Sequence, residues 1–191
     1  RASFAPYNTK ADVDALVAAL QSMAVAARGR ASAASITDCD KRRYLYPEAI
    51  ADTPDKAARY LLAVFAFLPD WTERYQEIIA MGERLPPLPP EARTEINRVH
   101  GCQSTVHITL QKRPGTKDVV EFLADSDAEI VRGLIGLLQQ VFSGQRARNI
   151  TAFDVPAFFH QLGLDEHLSL TRRNGLQGMV ERIKGFAGTL K

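Results

Sequence analysis

Along most of the chain apolar residues recur every three or four positions, and in one stretch they alternate, a pattern of helices around a small sheet. Val13, Leu16, Val17, Leu20 and Ala24 form a first stripe. Thr9 with Asp12 makes a capping box in front of it, and Gly29 ends it. Thr53-Pro54 opens a second helix with a cap and a proline at its first position, carrying Leu61, Leu62, Phe65 and Leu68 up to Pro69. Asp70 with Glu73 opens a third, bearing Trp71, Tyr75, Ile78 and Ile79, and Gly82 is its expected end. Leu85 to Pro90 must then run extended, because each proline restricts the residue before it. Glu95 to Val99 also reads as extended.

After that the period drops to two. Val106, Ile108 and Leu110 alternate with Thr105, His107, Thr109 and Gln111, the pattern of a half-buried strand. Arg113 to Thr116 supplies a turn, and Val119 to Leu123 returns antiparallel. Ser126 with Glu129 reads as the cap of the most apolar helix, Ile130 to Phe142, which Gly144 ends. Asp154 and Pro156 start a short helix ending at Gly163, and a last one from about Thr171 carries Leu176, Met179, Val180, Ile183, Phe186 and Leu190. The expected fold is α+β, a small antiparallel sheet flanked by helices, with an extra N-terminal helix and a linker. The organisation reads as an N-terminal segment over 1–27, a linker of small and charged residues over 28–53, and a folded domain over 54–191.

With 191 residues, 46% hydrophobic and 24% charged, the chain has material for a core without disulfide staples. A net charge of +2 gives no long-range pull toward nucleic acid or an anionic membrane. The cluster Lys41-Arg42-Arg43 is short and reads as a solvated stretch. No apolar run approaches the roughly 20 residues that span a bilayer. The start at Arg1 lacks the features of a signal or transit peptide and is expected to be processed or cut from something longer. The cytoplasm is the expected compartment, with a plastid or mitochondrial matrix as the alternative.

Two cysteines occur, and they differ in setting. Cys39 lies in the linker and reads as incidental. Cys102 follows Gly101 directly, in a loop between the Glu95–Val99 segment and the first strand. Arg98 and His100 flank it, and nearby positive charge favours the thiolate. Two readings stand on these residues alone, a functional thiol or a buried structural cysteine at a strand entry. His107 and His167 read as surface or structural residues.

Five motifs occur in order between Leu61 and Ala187. They are Phe67-Leu68-Pro69-Asp70-Trp71-Thr72-Glu73-Arg74-Tyr75, Leu85-Pro86-Pro87-Leu88-Pro89, Asn97-Arg98-Val99-His100-Gly101-Cys102-Gln103-Ser104, Ala124-Asp125-Ser126-Asp127-Ala128-Glu129-Ile130-Val131-Arg132-Gly133 and His167-Leu168-Ser169-Leu170-Thr171-Arg172-Arg173-Asn174-Gly175. Together they resemble the SufE family of sulfur acceptors. His100 is a departure, since the family often carries proline there. The resemblance implies that the thiolate of Cys102 attacks the outer sulfur of a persulfide on a SufS-type cysteine desulfurase. A cluster scaffold would receive the sulfur downstream. It implies that Gly101, Gln103 and His100 shape the loop, and that Arg172, Asp127 and Arg98 position it or meet the partner. Asp127 also has a plain reading as a helix cap. Sulfur transfer of this kind makes the chain a carrier rather than a stand-alone enzyme. No cofactor is expected on it, pyridoxal phosphate (PLP) belonging to the donor, and no metal. The chemistry further calls for a loop that turns inward in the free protein and swings out on docking.

The opening Arg1-Ala2-Ser3-Phe4-Ala5-Pro6-Tyr7-Asn8-Thr9 and Asp12 to Val17 are similar to the carboxy-terminal end of SufS-type desulfurases. In that family the arginine matching Arg1 binds the substrate carboxylate. The resemblance implies the tail of a desulfurase–acceptor fusion, with Arg1 vestigial in this piece. Rival readings are a metal or cluster scaffold of the IscU type, a thiol redox protein using Cys102, and a structural adaptor. The first needs more soft ligands than one positioned cysteine, and the second lacks a C-x-x-C pair.

Overall fold

The computed structural model describes residues 46–101 and 103–190. Arg1, the first predicted helix, Cys39 and Cys102 lie outside the described residues. Two helices lead. In α1 (Pro54–Ala66) the Thr53 hydroxyl accepts from the Lys56 amide at 3.3 Å, with proline in the first turn. In α2 (Trp71–Glu83) the Asp70 carboxylate accepts from the Glu73 amide at 2.9 Å. Gly82 does not end α2, which runs on to Glu83. Its role is closeness: a Cβ there would stand 2.6 Å from the Gly133 amide nitrogen, so α2 is in backbone contact with α3 (Glu129–Phe142).

Prolines 86 to 90 lead into a 3₁₀ turn at Pro90–Ala92, and a second 3₁₀ turn forms at Glu95–Asn97 where an extended stretch was expected. The sheet follows. β1 (Val106–Lys112) pairs antiparallel with β2 (Val119–Ser126), from Val106 opposite Ser126 to Lys112 opposite Val120. β2 also pairs with a short β3 (Gln145–Arg146), giving the order β1-β2-β3. The middle strand is therefore buried on both faces from Val120 to Ala124, whereas β1 alternates at its start. β2 extends three residues past the expected Leu123, which makes Ser126 its last residue and not the cap of α3. The cap position belongs to Ala128, without a side-chain bond, and the Ser126 hydroxyl accepts from the Ala128 amide at 3.3 Å.

Four further helices close the domain: α4 (Ala147–Ala152), α5 (Val155–Leu162), α6 (Leu164–His167) and α7 (Leu170–Thr189). Asp154 caps α5 through the Ala157 amide at 3.0 Å, and Gly163, at φ +77°, ends it in the left-handed region. α3 supplies the centre of the core through Leu134, Ile135, Leu137, Leu138, Val141 and Phe142, packed with Phe122 of β2 and Ile183 of α7. The expected α+β architecture, a small antiparallel sheet flanked by helices, is what the described residues form. None of these helices is long and apolar enough to cross a membrane.

Within the stretch read as a linker, residues 48–51 are bonded to this domain. The Ala49 amide donates to the Ser143 carbonyl at 2.7 Å and the Ile50 amide to that of Gln140 at 3.0 Å. The Gln145 amide side chain reaches the Ala51 carbonyl at 2.7 Å, and Glu48 pairs with Arg113 at 2.6 Å.

Candidate functional site

The loop that contains position 102 has a closed base. The Val99 amide donates to the Val106 carbonyl at 2.9 Å, and Arg98 and His107 form an antiparallel bridge just outside it. Both valines are buried, at 5% and 0% exposure, so the bond is shielded from water. His100 to Thr105 is thereby pinched off as a short loop between the last 3₁₀ turn and β1. Gly101 turns it with φ +83°. No atom lies within 4 Å of where its Cβ would stand, so the backbone angle, not crowding, calls for glycine.

Asp127 fixes the far side. Its carboxylate accepts from the Thr105 amide at 3.0 Å, and its own amide donates to the Thr105 carbonyl at 3.3 Å. A short acidic side chain just past the end of β2 reaches back to the start of β1 because Val106 and Ser126 stand opposite each other. The plain reading of Asp127 as a helix cap does not hold. It is a loop anchor.

Charge surrounds the base. Glu95 stands 3.5 Å from the Arg98 guanidinium and 3.6 Å from the His100 ring, all three side chains largely exposed. Exposed pairs of this kind contribute little to stability. Asp125, opposite His107 in the register, pairs with Arg93 at 2.8 Å and Arg132 at 3.3 Å.

The approach to the loop rests on α7. Arg182 donates to the Arg98 carbonyl at 3.0 Å and also to the Ile96 carbonyl. One turn earlier, a Cβ on Gly178 would come within 3.2 Å of Val99 and 3.5 Å of the His100 carbonyl. Sequence reasoning missed Arg182 and Gly178. Their spacing of four on the last helix was visible, but nothing in one sequence says which segment a helix face covers.

The other expected site residues fall as follows. Gln103 is exposed in the loop. Arg172 is exposed in the first turn of α7, and its side chain makes no hydrogen bond or ion pair with another described residue. It lies six residues before Gly178, about 9 Å along the axis and roughly 120° away around it, so it is not on the face that holds the loop approach. The Trp71 ring stacks on His167 at 3.8 Å, and the Tyr75 hydroxyl donates to the His167 carbonyl. The first and last of the five motifs are therefore packed on each other, and the fourth is bonded through Asp127 to Thr105, the residue just after the third.

Fold and site together define a small α+β domain that displays a cysteine-bearing loop on a fixed frame. Comparison with known proteins agrees. Residues 59–187 match the family described as "SufE: Fe-S metabolism associated domain", and the chain belongs to that family, which places it in iron–sulfur metabolism. An uncharacterised SufE-like protein of Rhizobium meliloti is 44% identical over 124 residues, 64% of this chain and 89% of that protein. Another, from Rhizobium etli, is 42% identical over 121 residues, 63% and 82% of the two chains. Among solved structures, a hypothetical protein from Thermus thermophilus superposes with a TM-score of 0.60 at 23% identity. The match covers 73% of this chain and 98% of that one, and shows a shared fold.

Proposed function

We propose that Cys102 is the acceptor for sulfur delivered as a persulfide by a PLP-dependent cysteine desulfurase, and that the chain passes this sulfur on for cluster assembly. One observation carries the reading: the backbone on either side of position 102 is clamped, by Val99 to Val106 and by Asp127 to Thr105, while His100, Gly101 and Gln103 stay exposed. Those two clamps set the ends of a short exposed segment that a partner protein can approach.

The transfer needs no oxidant or metal. Cys102 loses its proton to become a thiolate, whose sulfur attacks the outer sulfur of the donor persulfide. A new S–S bond forms at Cys102 as the donor's S–S bond breaks, and the donor cysteine leaves as a thiolate with the electron pair. Cys102 now carries the persulfide. Arg98 favours the thiolate by its charge. Asp127 holds the loop, and Arg172, exposed in the first turn of α7, is left to meet the partner.

Intact mass spectrometry after incubation with a desulfurase and free cysteine tests this. One added sulfur, located on Cys102 and absent from Cys102→Ser, is the expected result. Desulfurase stimulation that survives Cys102→Ala would show an adaptor instead. The resemblance of Arg1 to Met23 to a desulfurase terminus extends the proposal to a donor joined upstream in one polypeptide. A genomic reading frame without desulfurase sequence before Arg1 would end that extension.

A further inference from the structure

The segment leading into the cysteine loop poses a physical problem that the rest of the fold does not solve. Glu95 is 70% exposed at its side chain and Ile96 is 82% exposed, so no apolar burial fixes this stretch before Val99. Its only regular structure is a single 3₁₀ turn, a weak element in isolation. Besides the backbone bridge of Arg98 to His107, two side chains hold it. Asn97 turns back to donate to the Ala92 carbonyl at 2.9 Å. From the opposite side, the Arg182 guanidinium spans the carbonyls of Ile96 and Arg98, the acceptors on either side of Asn97. The absence of a side chain at Gly178, one turn earlier on the same helix face, lets Val99 and His100 lie against α7.

Resting on the reading of Cys102 as the sulfur acceptor, we propose that Arg182 is a positioning residue for the transfer. It holds Ile96 to Arg98 on α7 so that only His100 to Ser104 has to move when the donor docks. The planar fork of arginine suits two carbonyls at once, whereas a lysine ammonium on a flexible stem reaches one with less geometric control. Without the latch, the approach samples several conformations, and the fraction competent to dock falls. The apparent affinity falls in the same proportion, while the chemistry in the docked complex is untouched. The signature is a change in KM without a matching change in kcat.

The experiment compares wild type with Arg182→Ala, Arg182→Lys and Lys184→Ala in desulfurase-driven loading of Cys102, followed by mass spectrometry. Lys184 is the control. It makes an equivalent bond from the same helix, to the Phe153 carbonyl at 2.6 Å, away from the loop. For Arg182→Ala the apparent KM for the acceptor is expected to rise about three- to tenfold with kcat within about twofold. Arg182→Lys falls between it and wild type, and Lys184→Ala matches wild type. A second readout needs no donor. Iodoacetamide should alkylate Cys102 at least about threefold faster in Arg182→Ala, because the loosened loop opens more often. Thermal unfolding is followed in parallel, and if Arg182→Ala does not fold, the Lys variant decides. An unchanged KM and alkylation rate in the Arg182 variants, or an equal defect in Lys184→Ala, overturns the positioning role. Failure of wild type itself to take sulfur on Cys102 would overturn the acceptor reading, and the alkylation rates would still report on Arg182.

Discussion

Asp127 and Thr105 exchange hydrogen bonds across the base of the cysteine loop, carboxylate to amide at 3.0 Å one way and amide to carbonyl at 3.3 Å the other. The pair joins the end of β2 to the start of β1 and closes the loop. Its backbone half survives any substitution at 127 except proline, which has no amide hydrogen. Its side-chain half does not.

Asp127→Ala therefore leaves the Thr105 amide without the carboxylate. A cost of about 1–2 kcal/mol in urea unfolding is expected, together with a several-fold fall in sulfur loading. Asp127→Asn keeps an oxygen that can accept from the same amide. It should recover most of both, and equal defects in the two variants would show that charge, not the bond, matters.

Ile96 presents an apolar side chain to solvent within a segment whose carbonyl is tied inward to Arg182. Six residues reach at most about 20 Å when extended. The 3₁₀ turn shortens that path, so Ile96 falls inside the roughly 800 Å² footprint that a docking protein covers. Burying an isoleucine contributes about 1.5–3 kcal/mol. Ile96→Asp should then raise the apparent KM for the acceptor at least about tenfold, with iodoacetamide reactivity at Cys102 unchanged. Normal KM in this variant would place the donor elsewhere.

At the α2–α3 crossing a Cβ on Gly133 would lie 2.3 Å from the Ile78 carbonyl oxygen and 2.6 Å from its Cγ2. Backbone cannot move aside cheaply, so Gly133→Ala should cost about 3 kcal/mol or more. Gly185 in α7 has nothing within 4 Å of the corresponding point. Gly185→Ala should stabilise by about 0.5–1 kcal/mol, since alanine loses less backbone entropy in a helix. Urea midpoints of the two variants decide both claims.

These contrasts show what the sequence could reveal. Thr53, Asp70 and Asp154 were legible as caps because a cap bonds to an amide three residues on, and such spacing is written in the chain. Gly82 was misread because a glycine that ends a helix and one that admits a neighbouring helix look alike in one dimension. Ser126 was misread because a strand buried on both faces does not alternate and conceals its own end. β3 is too short to show any period. Asp127 was found as a candidate through the family likeness, but its partner, Thr105, became visible only once β1 and β2 were in register. Arg182 was out of reach, since it bonds to carbonyls, which every residue carries, more than 80 positions back along the chain.

The bond between Val99 and Val106 has a further consequence for how sulfur can be handled. Both partners sit in the dry interior, so this seam should open only when the whole domain melts, and the Val99 amide should exchange with solvent hydrogen as slowly as the deepest core. Everything from His100 to Thr105 lies beyond that seam. Under the proposed sulfur transfer, movement of the loop is mechanically separate from the integrity of the protein, and a thousand cargo cycles need not loosen a single core contact.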